Sequence, residues 1–119
     1  MIHLVGLHER EAPFAQHHDD VKFLAETQRA GISFAELKAI KTHNPFAVND
    51  LYFSRETGVP LERLNQFGCS LVYGHPQGPT GMRGIVELIE ELALSGGGYG
   101  LFSGCAAGDT AMAAIVKVG

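Results

Sequence analysis

The pattern of apolar and polar positions alternates between short strand-like runs and helix-like repeats. Strand-like runs occupy five segments, residues 2–7, 37–42, 69–73, 99–103 and 111–118. The last run is apolar almost without a break, which is typical of a strand covered on both faces. Strands that alternate with helices in this way indicate helices packed on a mainly parallel sheet.

Three helices are predicted between these strands. Residues 9–20 are predicted to form a loop, after which Asp20 caps a helix over residues 21–30 that Gly31 ends. Asn44 is predicted to cap a second helix, with the following proline at its first position, and Gly58 closes that helix. Single turns are predicted at residues 33–36, which have capping-box spacing, and at residues 60–64.

The third helix has the longest periodic pattern and begins at about Thr80, a plausible cap. Its apolar residues follow i, i+3, i+4, i+7 spacing: Met82, Ile85, Val86, Ile89, Leu92 and Ala93. Glu87, Glu90 and Glu91 are predicted to face away from this stripe, and the glycines at 96–98 end the helix. The stripe therefore predicts the face that packs on the sheet.

Composition narrows the picture to one globular domain over residues 1–119. Apolar residues make up 45% of the chain and charged residues 18%, and the formal charge is −4. There is no basic stripe for nucleic acid and no apolar run of the ~20 residues that cross a membrane. The N-terminus lacks a signal-peptide pattern, and two cysteines make no disulfide framework. We expect a cytoplasmic protein.

Glycine is the compositional anomaly. The chain has 15 glycines, of which 12 lie at or after Gly68. They surround two reactive side chains, His75 and Cys105, instead of forming a low-complexity tract. Glycines of this kind allow tight turns and close backbone approach, so both segments are candidate functional loops.

The first candidate loop is residues 74–83, Gly-His-Pro-Gln-Gly-Pro-Thr-Gly-Met-Arg, which leads into the long helix. The positive end of that helix disfavours a charged His75 and favours a neutral ring that donates a hydrogen bond. The alternative is a structural loop whose histidine bonds a backbone carbonyl. A phosphate-binding loop is disfavoured because the Gly-x4-Gly-Lys-Ser/Thr spacing is absent.

The second candidate is Cys105, and the third is His43. Small residues flank Cys105, which leaves the thiol accessible as an acid, base or nucleophile; the alternative is an inert buried cysteine. His43 follows a predicted strand, as Cys105 and His75 do, and ligands gather at the carboxyl ends of parallel strands. Cys69 lies inside a predicted strand, and no chemical role is expected for it. Histidines 3, 8, 17 and 18 match no standard zinc spacing, so no metal site is predicted.

These segments together resemble signature segments of the thiolase superfamily. Residues 68–83 are similar to the family's Gly-Gly-x4-Gly-His-Pro-x-Gly-x-x-Gly-x-Arg segment, and residues 104–109 to its Cys-x-Gly-Gly-Gly loop. Residues 43–46, His-Asn-Pro-Phe, stand where most thiolases have Asn-Glu-Ala-Phe; a leading histidine resembles the sterol-carrier-protein-type thiolases. The resemblance covers nearly the whole chain but only the C-terminal half of a thiolase.

The resemblance implies an α/β fold, a mixed five-stranded sheet with helices on both faces, in a dimeric enzyme. It implies a role in acyl-CoA acyl transfer, either Claisen condensation or thiolytic cleavage of a 3-oxoacyl-CoA. Coenzyme A thioesters are then the substrates, no cofactor is bound permanently, and the partner is the N-terminal half, in the same longer chain or in a separate subunit. Nothing in this sequence matches the nucleophilic cysteine of that half.

The resemblance also assigns roles to individual residues. His75 would donate to the thioester oxygen, Cys105 would be the acid/base thiol, and His43 would take the place of the asparagine that completes the first oxyanion hole through a bound water. Backbone at Ala107 and Gly108 would form a second oxyanion hole. Phe46 would contact substrate.

Two alternatives remain open at the level of sequence. A binding or assembly subunit could keep this fold without activity. A Cys–His thiol hydrolase could use Cys105 as its nucleophile and His75 as its base.

Overall fold

The fold is built on one mixed β-sheet. The structure is a computed structural model that describes residues 1–11, 27–105 and 110–119. Its four strands are β1 (Ile2–Glu11), β2 (Leu37–Thr42), β3 (Gly98–Cys105) and β4 (Thr110–Val118), in the order β1-β4-β3-β2. β2 runs parallel to β3, and β4 is antiparallel to both β3 and β1.

The mixed sheet that the resemblance implies is confirmed, whereas the strands read from the pattern alone are only partly right. The strands at 37–42, 99–103 and 111–118 are confirmed, and the first strand extends through residues 9–11, which had been predicted as loop. The prediction of a mainly parallel sheet was wrong. Only four residues separate β3 from β4, and a connection this short joins antiparallel neighbours. The fifth strand is not confirmed, since the described residues contribute four.

Helices cover the sheet between the strands. They are α1 (Ala47–Thr57), α2 (Ser70–Tyr73) and α3 (Thr80–Leu94), with 3-10 turns at Phe34–Glu36 and Leu61–Arg63. α2 replaces the strand predicted at 69–73, because a short apolar run cannot be distinguished from a helix by periodicity alone. Among the described residues, no helix is long and apolar enough to cross a membrane.

The first predicted helix is described only at its end, where residues 27–30 are helical and Gly31 turns the chain at φ +66°. The remainder of that helix, with Asp20 and most of the predicted loop, lies outside the described residues. The capping box is confirmed, since the Ser33 backbone N–H donates to Glu36 Oε2 at 2.8 Å. Gly58 closes α1 at φ +71°, as predicted.

Each face of the sheet carries its own apolar cluster, because neighbouring residues of a strand point to opposite faces. One cluster joins the sheet to α1 and the loops: Ile32, Leu37, Ile40, Phe53, Val59, Leu64, Leu101, Ala113 and Ile115. The other joins the sheet to α3: Ala39, Leu88, Leu92, Phe102 and Val116. Helices therefore lie on both faces of the sheet, as predicted.

The buried face of α3 differs from the predicted stripe. It is centred on Leu88 and Leu92, whereas Met82 is 72% exposed. Glu91, predicted to face solvent, is only 3% exposed. Gly100 explains the close approach: a Cβ at this position would lie 2.7 Å from the Leu88 side chain. Apolar residues cover so much of α3 that the pattern could not identify the packed face.

Two predicted helix caps were also wrong. Phe46 is the N-cap of α1 and Pro79 that of α3, and neither cap makes a side-chain hydrogen bond. The Asn44 side chain instead bonds Asp50 and the Ser70 backbone, and the Thr80 hydroxyl lies within hydrogen-bond distance of His75. Those partners belong to the candidate site.

Candidate functional site

The site lies where β2 and β3 end. These strands are parallel neighbours, so their carboxyl ends meet at one edge of the sheet. His43 is the residue after β2, and its backbone N–H donates to the Ser103 carbonyl at 2.7 Å. Cys105 is the last residue of β3 and is exposed. The ladder thus places His43 and Cys105 side by side.

Three of the predicted site residues form one hydrogen-bonded group. His43 Nδ1 lies 3.1 Å from Cys105 Sγ, and His43 Nε2 lies 3.1 Å from His75 Nδ1. The two imidazole centroids are 4.5 Å apart, with the rings tilted by 52°. We call Cys105, His43 and His75 the Cys–His–His cluster. His43 is its central member, with both ring nitrogens engaged.

The loop before α3 holds His75. Nδ1 of His75 lies 3.1 Å from the hydroxyl of Thr80, the first residue of α3. Gln77 adopts a left-handed backbone conformation at φ +64°, which turns the loop back toward the helix. Arg83 reaches back from α3 and donates to the Gly74 carbonyl at 3.2 Å. Among the described residues, Nε2 of His75 has no hydrogen-bond partner, so it is available to a ligand.

A buried polar network anchors the backbone around His43. Asn44 is fully buried; it donates to Asp50 Oδ2 at 2.6 Å and accepts from the Ser70 backbone N–H at 3.0 Å. The Thr42 hydroxyl donates to the other oxygen of Asp50, and Asn65 Oδ1 accepts from the Thr42 backbone N–H at 2.9 Å. The residues on both sides of His43 are therefore fixed to α1, to α2 and to the segment before α2.

Burial and positive charge act together on His43. Desolvation lowers its pKa, and the charges of His75 and Arg83 lower the pKa further. His43 is therefore neutral at pH 7, which allows one ring nitrogen to accept a hydrogen bond while the other donates.

Two clefts meet at the cluster. One, of about 220 Å³, lies between α1 and β3 and is lined in part by Val48, Tyr52 and Phe53. The other, of about 510 Å³, lies toward α3 and is lined by His75, Gln77, Thr80, Phe102 and Met112 among others. His43, Gly104 and Cys105 line both clefts. A ligand in either cleft can reach the thiol.

The sequence did not reveal a buried lysine that lies beneath the site together with two half-buried charged partners. Lys41 in β2 is 1% exposed; it donates to the Gly68 carbonyl at 2.7 Å and to Glu87 at 3.1 Å. Arg83 lies 3.4 Å from the same carboxylate and 5.5 Å from the centre of the Tyr73 ring. The signal in the sequence was limited to two lysines, Lys38 and Lys41, within the predicted strand at 37–42. The Lys41–Glu87 pair connects β2 to α3 under the His75 loop, and the Arg83–Glu87 pair lies within α3.

The other predicted site residues do not join the cluster. Phe46 is 68% exposed at the start of α1 and lines neither cleft. Ala107 and Gly108 lie outside the described residues. Cys69 is half-buried before α2, and His3 lies on β1 at the opposite edge of the sheet from β2. Within the described ranges, no three His, Cys, Asp or Glu residues are grouped as metal ligands.

Solved structures with the same fold are thiolases. The chain superposes on human mitochondrial 3-ketoacyl-CoA thiolase with a TM-score of 0.85 and 23% identity, covering 98% of this chain and 30% of that one. It also superposes on the peroxisomal 3-ketoacyl-CoA thiolase of Saccharomyces cerevisiae, a five-layered structure with two core domains of identical topology. There the TM-score is 0.84 at 21% identity, over 99% of this chain and 34% of that one.

Sequence comparison agrees with the fold. The chain is 38% identical over 107 residues to a 3-ketoacyl-CoA thiolase of Erwinia tasmaniensis, covering 76% of this chain and 24% of that protein. It therefore spans about a quarter of the length of the curated relatives it matches. Residues 22–118 match the family model for the thiolase C-terminal domain. The chain thus belongs to the thiolase superfamily, as a C-terminal thiolase domain.

Proposed function

We propose that this chain is a single C-terminal thiolase domain that supplies half of an acyl-CoA acyltransferase site. The reaction is Claisen condensation to, or thiolytic cleavage of, a 3-oxoacyl-CoA. The observation that carries the proposal is the Cys–His–His cluster, which joins an exposed thiol and two imidazoles at the edge of two clefts. Family membership supplies the substrate class.

His75 is proposed as the donor to the thioester oxygen. Its Nδ1 is occupied by His43 and Thr80, and its Nε2 has no partner among the described residues. A donor at Nε2 would stabilise the negative charge that develops on the oxygen of an enolate.

Cys105 is proposed as the acid/base thiol of the reaction. In condensation its thiolate would take a proton from the α-carbon of one acyl-CoA, and the enolate would attack the acyl group carried by a second cysteine. In cleavage the same thiol would return a proton to the departing carbanion. Cys105 suits this role because it is exposed and its sulfur contacts a neutral imidazole.

His43 is proposed to support an oxyanion hole, as its position in the resemblance implies. Both of its ring nitrogens are engaged, so one contact would open to admit a water or the substrate oxygen. Backbone N–H groups at Ala107 and Gly108 would form the second hole, and Phe46 would contact substrate from outside the two clefts.

The nucleophile that carries the acyl group is assigned to an N-terminal thiolase half. That half would belong either to the same longer chain or to a separate subunit, and the assembly would form a homo-oligomer. Coenzyme A thioesters are the proposed substrates, with no permanently bound cofactor. The assignment of these substrates to this chain is based on the relatives named above.

The test is acyl-CoA transfer measured with this chain alone and with an N-terminal thiolase half. Activity only in the mixture supports the proposal. In the mixture, Cys105→Ser should abolish condensation while acylation of the partner's cysteine remains, and Cys69→Ser should change neither. His75→Ala should reduce the rate by about 10²–10³-fold, the usual cost of one oxyanion donor. Loss of acylation in Cys105→Ser would contradict the acid/base role.

Two other functions predict different outcomes in the same assay. A binding or assembly subunit without activity predicts no transfer under either condition. A thiol hydrolase predicts a stable acyl adduct on Cys105 itself, with His43 rather than His75 as the base, because His43 is the ring that contacts Sγ.

A further inference from the structure

The Cys–His–His cluster is a continuous chain of proton donors and acceptors. Both contacts of His43 measure 3.1 Å, one to Cys105 Sγ and one to His75 Nδ1. They use opposite nitrogens of one ring. A neutral imidazole carries one N–H and one lone pair, so it can accept from the thiol and donate to His75 at the same time.

We infer that His43 is a proton relay through which the Cys105 thiol passes its proton to His75. The S–H bond of Cys105 breaks as an N–H bond forms at His43 Nδ1. The N–H bond at His43 Nε2 breaks as one forms at His75 Nδ1. The products are a Cys105 thiolate, a neutral His43 in its other tautomer and a His75 imidazolium. No proton enters or leaves the cluster.

The surroundings favour His75 over His43 as the final carrier of charge. His43 is desolvated and faces the positive charge of Arg83 from α3, which makes it a poor cation. His75 gains the Thr80 hydroxyl, which lies 3.1 Å from Nδ1 and can either donate or accept. The lone pair of Nδ1 accepts from His43 before the transfer, so the Thr80 hydroxyl contributes afterwards, as an acceptor for the N–H that forms at Nδ1.

The other charged groups near His43 are already paired. Asp50 of α1 accepts from Thr42 and Asn44, the residues on either side of His43. Glu87 of α3 pairs with Lys41 and Arg83. Neither carboxylate is hydrogen-bonded to the relay, which leaves His75 as the acceptor that His43 Nε2 contacts.

This inference rests on the proposed function for its purpose. Loss of the thiol proton to His43 makes Cys105 the base, and the coupled transfer from His43 Nε2 turns His75 into a charged donor facing the enolate oxygen. Hydrogen bonds from charged donors are roughly twice as strong as neutral ones. One proton movement would therefore activate both halves of the enolisation step.

The test uses alkylation of Cys105 by iodoacetamide, which needs no acyl-CoA and no partner. In a Cys69→Ser background Cys105 is the only thiol of the chain. The rate is measured from pH 5 to 9 for the parent, His43→Gln, His75→Gln and His3→Gln. His3→Gln is the matched control, because His3 lies on the opposite edge of the sheet.

A relay predicts that His43→Gln and His75→Gln each slow alkylation at pH 7 by about fivefold or more, since only the thiolate reacts. His3→Gln should not change the rate. A simple Cys105–His43 pair predicts the opposite for His75→Gln: removing a charge that lowers the pKa of His43 should leave the rate unchanged or raise it. An unchanged or faster rate in His75→Gln therefore overturns the relay.

A second measurement requires no histidine substitution and covers the case in which a variant fails to fold. The nitrogen-15 shifts of the His75 ring are recorded at pH 7 before and after Cys105 is alkylated. A relay predicts movement toward the neutral ring, because the thiol can no longer supply a proton. Unchanged His75 shifts contradict it. Neither result depends on whether the chain takes part in acyl transfer.

Discussion

Asn44 offers the sharpest test of how the fold positions His43. Its side chain is fully buried and makes two hydrogen bonds, to the Asp50 carboxylate at 2.6 Å and from the Ser70 backbone N–H at 3.0 Å. Asn44→Ala removes both. The Ser70 N–H is left without its acceptor, and Asp50 loses one hydrogen bond while keeping that from Thr42.

The expected cost follows from these two losses. A buried donor left without a partner costs about 1–3 kcal/mol, and a hydrogen bond to a charged group contributes about 1.5–3 kcal/mol. We expect Asn44→Ala to lower the free energy of unfolding by about 3–4 kcal/mol, below the full sum because Asp50 keeps other partners. Urea unfolding measures this loss as a fall in the midpoint of about 1–4 M.

Gln66→Ala is the matched control for the loss of an amide. Gln66 is exposed and donates to the Glu62 carbonyl at 3.0 Å. A surface change of this kind should alter stability by no more than about 0.5 kcal/mol. If Asn44→Ala costs less than about 1 kcal/mol, the network does not hold the backbone around His43, and the reasoning from buried hydrogen bonds is refuted.

Three further predictions concern stability, each measured by urea unfolding. Leu88→Ala should cost about 2–5 kcal/mol, because Leu88 is fully buried between α3 and the sheet; a cost under 1 kcal/mol would contradict that packing. Burial raises the pKa of Glu91, so its favourable contribution is complete below the usual pKa and is lost as the pH rises through the raised one. The free energy of unfolding of Glu91→Gln should therefore rise relative to that of the parent between pH 4 and 7. A difference between the two free energies that stays constant with pH would argue against this effect. The lowered pKa of His43 acts in the opposite direction: its contribution is present above the usual pKa and lost as the pH falls through the lowered one. The parent should lose more stability than His43→Gln between pH 7 and 5, whereas parallel losses would exclude this linkage.

Part of the site could be predicted because His43 and Cys105 lie at the carboxyl ends of strands that the sequence pattern indicates. The runs that became β2, β3 and β4 were recognisable, and the parallel pairing of β2 with β3 brings His43 beside Cys105. The glycine-rich segment before α3 indicated where His75 turns toward them. Local patterns were sufficient here because strand ends and helix starts carry strong local signals.

What could not be predicted depended on which hydrogen-bond partner each polar side chain selects in the folded chain. Asn44 has the residue type of a helix cap, but its side chain bonds Asp50 in the first turn of α1 and the backbone of Ser70, 26 residues away. Thr80 likewise contacts His75 instead of capping α3. At both positions these side-chain contacts took the place of the helix cap.

The glycines include some whose role the sequence indicated and some whose role only the structure shows. Gly74 and Gly104 lie beside the two reactive side chains, as the sequence suggested. Gly84 and Gly100 serve another purpose, because added Cβ atoms would lie 2.6 Å from Phe102 and 2.7 Å from Leu88. The glycine-rich half thus combines a reactive loop with close packing of α3 on the sheet.

The most direct test of the central claim is exchange of the α-protons of acetyl-CoA with deuterium from solvent. The chain is assembled with an N-terminal thiolase half whose nucleophilic cysteine has been replaced, so that only enolisation can occur. We predict exchange by the parent, none by Cys105→Ser, a loss of about 10²–10³-fold in His75→Ala and no change in Cys69→Ser. Exchange that continues unchanged in Cys105→Ser would contradict the assignment of this cluster as the enolising half of the site.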